Sequence, residues 1–296
     1  EDVCFVNNNA SSLFLTLQAL KKENKIDAVI ISRGEIIEIG GSYRLPEIIQ
    51  ETGMKLVEVG TTNKTHPKDY KKALKENQNS LILKVHRSNF SLSGFVEEVS
   101  IKELKIIADE FNVLLIHDLG SGLVIDRKFL EMQNISHFDK EISVQESLED
   151  GSDIVMFSGD KLFGSIQSGI IAGSEDIITK IKKYPLFRTF RCSPVITYEL
   201  QKTTELYLSK EEKSIPFWSF LSTSRQELDE RVQNVSKQIT LEHSIVEDFS
   251  LIGGGSMPDV KIPSSVISVN DKVYGETQDM LSKLDIPIVP RTKENN

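Results

Sequence analysis

At 296 residues the chain is long enough for one large α/β domain and part of a second. With 39% hydrophobic and 27% charged residues it has a globular composition, and no stretch reaches the roughly 18 uninterrupted apolar residues of a membrane span. A net charge of −9 argues against a broad nucleic-acid surface, which needs lysine and arginine for the phosphates.

The opening EDVCFVNNN has no basic stretch and no small-residue cleavage site, so it is not a signal peptide. It reads as a short VCFV strand followed by polar residues and a helix over 11–23. Apolar, β-branched runs then recur at 28–32, 55–60, 81–86, 113–118, 153–158 and 168–173, each predicted as a strand. Helical patterns at 45–52, 67–76, 101–111 and 174–183 lie among them. Strands alternating with helices predict a mostly parallel sheet covered on both faces, with ligands bound beyond the carboxyl ends of the strands. After about residue 185 the texture changes. Two long helices are predicted within 191–208 and 223–239, then a strand at 260–269, a helix at 275–284 and a strand at 286–289. The expected division is a large α/β domain over 1–190 and a smaller α+β domain over 191–296. GGGS (253–256) reads as a tight turn rather than a nucleotide loop, because it lacks the strand-GxGxxG-helix context. The basic words KKENK (21–25) and KKY (182–184) read as solvated helix ends. Both chain ends read as cut, and a piece of a longer protein is expected.

The residues just past the apolar runs carry the chemistry. Lys161 follows DIVMF in SGDKLFG (158–164), on a loop with Gly159 and Gly164. Desolvation there lowers an amine's pKa and suits it to Schiff-base chemistry, although a lysine in a turn is more often plain surface. Asp118 ends VLLIHD and precedes GSG. A carboxylate at the end of a buried strand needs a cationic partner, and the protonated ring nitrogen of pyridoxal phosphate (PLP) is one; a turn aspartate is the common alternative. NNNASS (7–12) opens a helix. Backbone N–H groups around Asn9, Ala10 and Ser11, with Ser12 beside them, suit a phosphate, or simply an N-cap. In HRSNF (86–90), Asn89 can donate to a phenolate-like oxygen and His86 can stack on a ring or move a proton. Ser158 is added to the cofactor contacts at the end of its strand. No single item is specific, but their order is what a fold-type-I PLP site requires: phosphate-type helix start, strand-end Asn, strand-end Asp, strand-end Lys. The five histidines are scattered without HxxxH spacing, so no metal site is expected, and no GxSxG elbow points to a hydrolase.

Longer words carry a family resemblance. SRGEIIEIGGSYRLPEIIQETGMKLVEVGTTNKTHPKDY (32–70), KVHRSNFSLSGFVEEVS (84–100), DLGSG (118–122) and SGDKLFGSIQSGIIAG (158–173) resemble bacterial selenocysteine synthase, the L-seryl-tRNA(Sec) selenium transferase family. The resemblance runs from about residue 3 to the C-terminus. It implies a PLP-dependent transferase of fold type I, aspartate-aminotransferase-like, with the cofactor on Lys161 and Asp118 paired with the pyridine nitrogen. It implies a homo-oligomer, a dimer at least and a larger ring on the family's pattern. The implied reaction takes a seryl group on tRNA(Sec) through a dehydroalanyl intermediate, and selenophosphate supplies the selenium. The family's RxxR word falls on Arg188 and Arg191, whose planar forks suit an oxyanion; the same pair also reads as a salt-bridging helix start. The pattern departs from the family at Gly164-Ser165-Ile166-Gln167, where Gly-Gly-Pro-Gln is usual, and at Cys192-Ser193-Pro194, where Val-Asp-Lys is usual. The family's tRNA-binding domain would precede this stretch. Two cysteines outside any CxxC spacing fit a reduced, cytoplasmic setting, and no membrane or DNA partner is expected. Two other readings stand beside this one. One is a PLP lyase or transferase of the same superfamily acting on a small amino acid without tRNA. The other is a non-catalytic homologue kept as an assembly or binding module.

Overall fold

Strands buried on both faces read as continuous apolar runs, and the six runs above form six adjacent strands of one sheet, the run at 55–60 lying at its edge. The computed structural model describes residues 1–133, 135–139, 141–253, 255–269 and 277–292. Contacts divide the chain into two compact units, residues 1–222 with 251–260, and residues 223–250 with 261–296.

The first unit holds strands β1 (Asp2–Val6), β2 (Ala28–Ser32), β3 (Glu38–Ile39), β4 (Tyr43–Arg44), β5 (Lys55–Val59), β6 (Ser80–Val85), β7 (Leu115–Gly120), β8 (Ile154–Ser158) and β9 (Gly169–Gly173). Seven of them form one sheet in the order β1-β9-β8-β7-β6-β2-β5, while β3 and β4 form a small separate pair. From β8 to β5 every neighbour is parallel. β9 is antiparallel to both β8 and β1, so β1 runs in the parallel direction. The carboxyl ends of β1, β8, β7, β6 and β2 therefore lie at one edge of the sheet.

The helices of this unit are α1 (Asn9–Asn24), α2 (Leu45–Glu51), α3 (Pro67–Glu76), α4 (Ile101–Phe111), α5 (Arg127–Met132), α6 (Val144–Glu149), α7 (Glu175–Lys183), α8 (Phe187–Phe190), α9 (Pro194–Leu208) and α10 (Pro216–Leu221). Successive strand residues point to opposite faces. Val29 and Ile31 pack with Leu13 and Leu17 of α1 and Ile178 of α7, whereas Ile30 and Ile82 pack with Tyr70 of α3 and Leu104 of α4. This is the expected α/β architecture, with helices on both faces of a mostly parallel sheet.

The second unit contains α11 (Arg225–Ser236), β10 (His243–Leu251), β11 (Lys261–Val269) and α12 (Thr277–Ser282). The strand expected at 286–289 does not form. Ile286 and Val289 are 82% and 81% exposed, and β11 pairs instead with β10. A four-residue apolar run does not specify a ladder partner. The helix expected at 275–284 survives as α12, and the start of that span lies outside the described residues, as does Gly254 of the GGGS turn.

A third apolar cluster in the first unit supports the lysine loop. Trp218 of α10 is fully buried among Phe129, Phe138 and Phe217. Its Nε1–H donates to Tyr207 Oη at 2.7 Å, and the Tyr207 hydroxyl donates to the carbonyl of Phe163 at 2.9 Å. The Phe163 and Tyr207 rings stack with centroids 5.4 Å apart. Replacing Trp218 by alanine removes the packing and the donor together. The expected loss is about 3–5 kcal/mol, read as a lower urea midpoint at unchanged slope.

Candidate active site

Burying a carboxylate is costly unless donors surround it. Asp118 sits in β7, one strand from the end of β8, and is only 6% exposed. Its Oδ1 accepts from Asn9 Nδ2 at 2.8 Å and from the Gly120 N–H at 3.1 Å. Burial pushes its pKa up, against the pull of Asn9, Lys161, Gly120 and His86. The β7–β8 register shifts between Asp118 and Gly120, which turns the chain just past the carboxylate. Two residues on, Gly122 has φ +72°, and a Cβ there would stand 2.3 Å from the Phe157 ring, so only glycine fits the turn.

Asn9 is the first residue of α1, capped by Asn8, whose side chain accepts from the Ser11 N–H at 2.8 Å. The Ser11 N–H is therefore taken. The N–H groups of Asn9 and Ala10 have no partner among the described residues. Ser12 is buried and directs its hydroxyl at the Asn8 carbonyl at 3.4 Å. Asn9 serves Asp118 through its amide nitrogen, while its Oδ1 is buried without a partner among the described residues.

Lys161 lies three residues past β8. Its loop is closed by Gly159 N–H to the Ser168 carbonyl at 2.9 Å, Ser165 N–H to the Gly159 carbonyl at 2.8 Å, and Leu162 N–H to the Ser121 carbonyl at 3.1 Å. A Cβ on Gly159 would lie 2.1 Å from Ser168 Oγ and 2.8 Å from the Ile166 carbonyl. Ser165, one of the residues that departs from the family word, accepts from Thr203 Oγ1 at 2.8 Å. The Lys161 Nζ faces two glycines. It would be 3.9 Å from a Cβ on Gly120 and 3.2 Å from one on Gly255, whose carbonyl accepts from it at 3.2 Å. Burial lowers the amine's pKa, against the charges of Asp118, Asp160 and Glu141.

His86 and Asn89 follow β6. The His86 N–H donates to the Asp118 carbonyl at 2.9 Å, and its Nε2 lies 3.2 Å from Glu141 Oε2. Asn89 donates to the Glu38 carbonyl at 2.9 Å, and its Oδ1 is buried with no partner among the described residues. The end of β6 is held by a buried ion pair. Lys84 Nζ meets Glu35 Oε1 at 2.6 Å and Glu98 Oε2 at 3.3 Å, and Glu35 also accepts the Val85 N–H at 3.0 Å. Burial works against the Lys84 charge, but Glu35 and Glu98 outweigh it and hold its pKa up. Ser158 ends β8, buried opposite Gly169 of β9.

Arg188 lies on α8 and Arg191 follows it. Both are exposed, and neither has a carboxylate within 4.0 Å among the described residues. Arg191 bridges to Val6, and the Phe190 carbonyl accepts the Asn7 N–H at 3.1 Å, so the pair runs beside the β1–α1 junction.

Strand ends thus bring Asn9, His86, Asp118 and Lys161 to one edge. Glu141 and Gly255 belong to the same neighbourhood, and no sequence signal marked them: Glu141 lies in an irregular loop, and Gly255 in a turn read only as a turn.

The family model described as SelA, L-seryl-tRNA selenium transferase, matches residues 1–296. The chain belongs to this family. It is 40% identical over 304 residues to the L-seryl-tRNA(Sec) selenium transferase of Alkaliphilus oremlandii, covering 100% of this chain and 63% of that protein. It is 42% identical over 272 residues to that of Campylobacter lari, covering 92% and 59%. The chain thus spans about 60% of the length of these family members. Among solved structures it resembles D-glucosaminate-6-phosphate ammonia-lyase at TM-score 0.68 and 17% identity, covering 98% of this chain and 73% of that one. It also resembles archaeal O-phosphoseryl-tRNA(Sec) selenium transferase at TM-score 0.50 and 18% identity, covering 96% and 59%. The fold is that of PLP-dependent fold-type-I enzymes, as expected.

For this family and fold pyridoxal phosphate is the expected cofactor, and the residues fit it. A buried carboxylate suits a protonated ring nitrogen, a glycine-lined lysine amine suits a carbonyl carbon, and two N–H groups at a helix start suit a phosphate. The orphaned Oδ1 atoms of Asn9 and Asn89 leave hydrogen-bonding capacity in the site.

Because the folded pKa of Asp118 is raised, its charge destabilises the cofactor-free fold only above the unfolded carboxylate value of about 3.9. Asp118→Asn should therefore raise the melting temperature at pH 7 without cofactor. The gain should shrink as pH falls and vanish near pH 3. Calorimetry across that range checks it, and the same variant should bind the cofactor more weakly.

Proposed function

We propose that this chain carries the cofactor-binding core of an enzyme that converts seryl-tRNA(Sec) into selenocysteinyl-tRNA(Sec), with selenophosphate as selenium donor, in a cytoplasmic homo-oligomer. The observation that carries the reading is Asp118 buried beside a half-buried Lys161 at adjacent strand ends, in a chain of this family.

When bound, pyridoxal phosphate supplies an electron sink that lets the seryl Cα lose its proton and the β-oxygen depart. Lys161 holds it covalently. With its pKa lowered by burial, more of its amine is free base than a surface lysine's, which also suits it to take a proton from Cα and return it. Asp118 keeps the pyridine nitrogen protonated, and Asn9 keeps that carboxylate aimed. The N–H groups of Asn9 and Ala10, with Ser11 in the same first turn, receive the phosphate at the positive end of α1. Asn89 and Ser158 complete the cofactor contacts from the ends of β6 and β8. Arg188 and Arg191 bind the selenophosphate oxyanion, for which unpaired guanidinium forks are suited. Recognition of tRNA is assigned to the whole protein rather than to this stretch.

The full-length protein loaded with cofactor should form selenocysteinyl-tRNA from seryl-tRNA and selenophosphate, and Lys161→Ala should form none. Arg188→Ala or Arg191→Ala should raise the KM for selenophosphate by about 10- to 100-fold, the loss of one charged hydrogen bond of roughly 1.5–3 kcal/mol. Turnover of free serine without turnover of seryl-tRNA would contradict the reading and favour a lyase acting on a small amino acid.

A further inference from the structure

Glu141 belongs to no motif, yet it links the ends of the strands that carry the site. It lies between a 3-10 turn (Ser136–Phe138) and α6, and is 6% exposed. The loop is held from below by Arg127, whose guanidinium donates to the Phe138 carbonyl at 2.6 Å, to the Glu141 carbonyl at 2.5 Å and to Glu146 Oε2 at 2.8 Å. The two carboxylate oxygens of Glu141 then go to different strand ends. Oε1 takes the Ser121 hydroxyl at 2.5 Å, just past β7, and Oε2 faces His86 Nε2 at 3.2 Å, just past β6. The Ser121 carbonyl in turn accepts the Leu162 N–H of the lysine loop.

Burial works against the Glu141 charge, but His86, Ser121 and Arg127 outweigh it and hold the carboxyl below its ordinary pKa. An ionised carboxylate only accepts hydrogen bonds. Both of its partners must then be donors, so His86 carries a proton on Nε2. The other ring nitrogen, Nδ1, has no partner among the described residues. The ring also forms part of the wall of a cavity of about 330 Å³ lined by Arg87, Phe90, His137, Glu141 and Met257.

We propose that Glu141 is a positioning residue that fixes His86 in the Nε2–H tautomer and so leaves Nδ1 as a second proton acceptor in the site, beside Lys161, which handles the Cα proton. A proton that Nδ1 takes from the seryl ammonium makes the ring cationic against the carboxylate 3.2 Å away, and Nδ1 then gives it to the departing β-oxygen, which leaves as water, so the ring ends the turnover neutral. The catalytic consequence rests on the functional reading above; the tautomer does not.

Glu141→Gln keeps the shape and reverses the hydrogen-bond polarity. With Ser121 still donating to the amide oxygen, the amide NH₂ faces His86, Nε2 must accept, and the ring proton moves to Nδ1. The tautomer is read by ¹⁵N NMR of ring-labelled histidine in cofactor-free protein, with the His86 signals assigned by their loss in His86→Gln. Wild type should be protonated on Nε2 and Glu141→Gln on Nδ1. The cofactor-loaded variant should keep its cofactor affinity within about threefold while its turnover falls by about 100-fold or more. A wild-type ring protonated on Nδ1 overturns the proposal without any variant. An unchanged tautomer in Glu141→Gln overturns it too, as does an inverted tautomer with unchanged turnover. If wild type takes up no cofactor, the functional reading fails, and the NMR result alone decides the role of Glu141 in fixing the ring.

Discussion

The site is organised by a buried carboxylate that cannot be left alone. Asp118 lies near the carboxyl end of a central strand with its charge opposed by burial, and its neighbours compensate. Asn9 reaches across from the start of α1, Gly120 offers a backbone donor, and Lys161 brings a positive charge from the next strand end. These contacts join the neighbouring ends of β1, β7 and β8. They also bring the N-terminus of a 16-residue helix, with its positive dipole end, to the same place.

Around that frame the structure separates charges that hold from charges that work. Lys84 and Glu35 form a buried pair with their donors and acceptors largely consumed, as expected of a pair that holds a strand end in place. Lys161 differs. Its Nζ has one carbonyl at 3.2 Å and glycines on two sides, so its amine is poorly solvated and sterically open. Few hydrogen bonds, partial burial and open approach suit the reactive role proposed for this amine better than a structural one. His117 and His86 show the same contrast two strand positions apart. His117 is buried against Ser147 with its pKa pushed well down by burial, whereas His86 stands at the strand end in a cavity wall with one nitrogen unpartnered.

Much of this was legible in the sequence, for physical reasons. Strands covered on both faces must be apolar along their length, so runs such as those at 28–32 and 81–86 announce themselves, and the residue after each run is at the functional edge. Asp118 and His86 close their runs and Lys161 lies three residues past β8, so the run ends point to all three. Asn9 was read as a phosphate contact, and its amide is also the partner of Asp118, a link between residues 109 apart that no local pattern encodes. Glu141 and Gly255 reach the site from irregular loops whose paths depend on tertiary contacts, Arg127 in one case and the approach of the 251–260 segment in the other. β10 carries no clear strand signal because its residues are mostly exposed and mix charge with apolar side chains, and the run at 286–289 forms no strand because apolar character alone does not supply a ladder partner.

The most direct test of the account is where the cofactor attaches. Protein incubated with pyridoxal phosphate, reduced with borohydride and digested should yield one phosphopyridoxyl-bearing peptide, with the label on Lys161, and Asp118→Asn should lower its yield. Label spread over surface lysines, or placed on another lysine with Lys161 unmodified, would contradict the claim that Asp118 and Lys161 form the cofactor site.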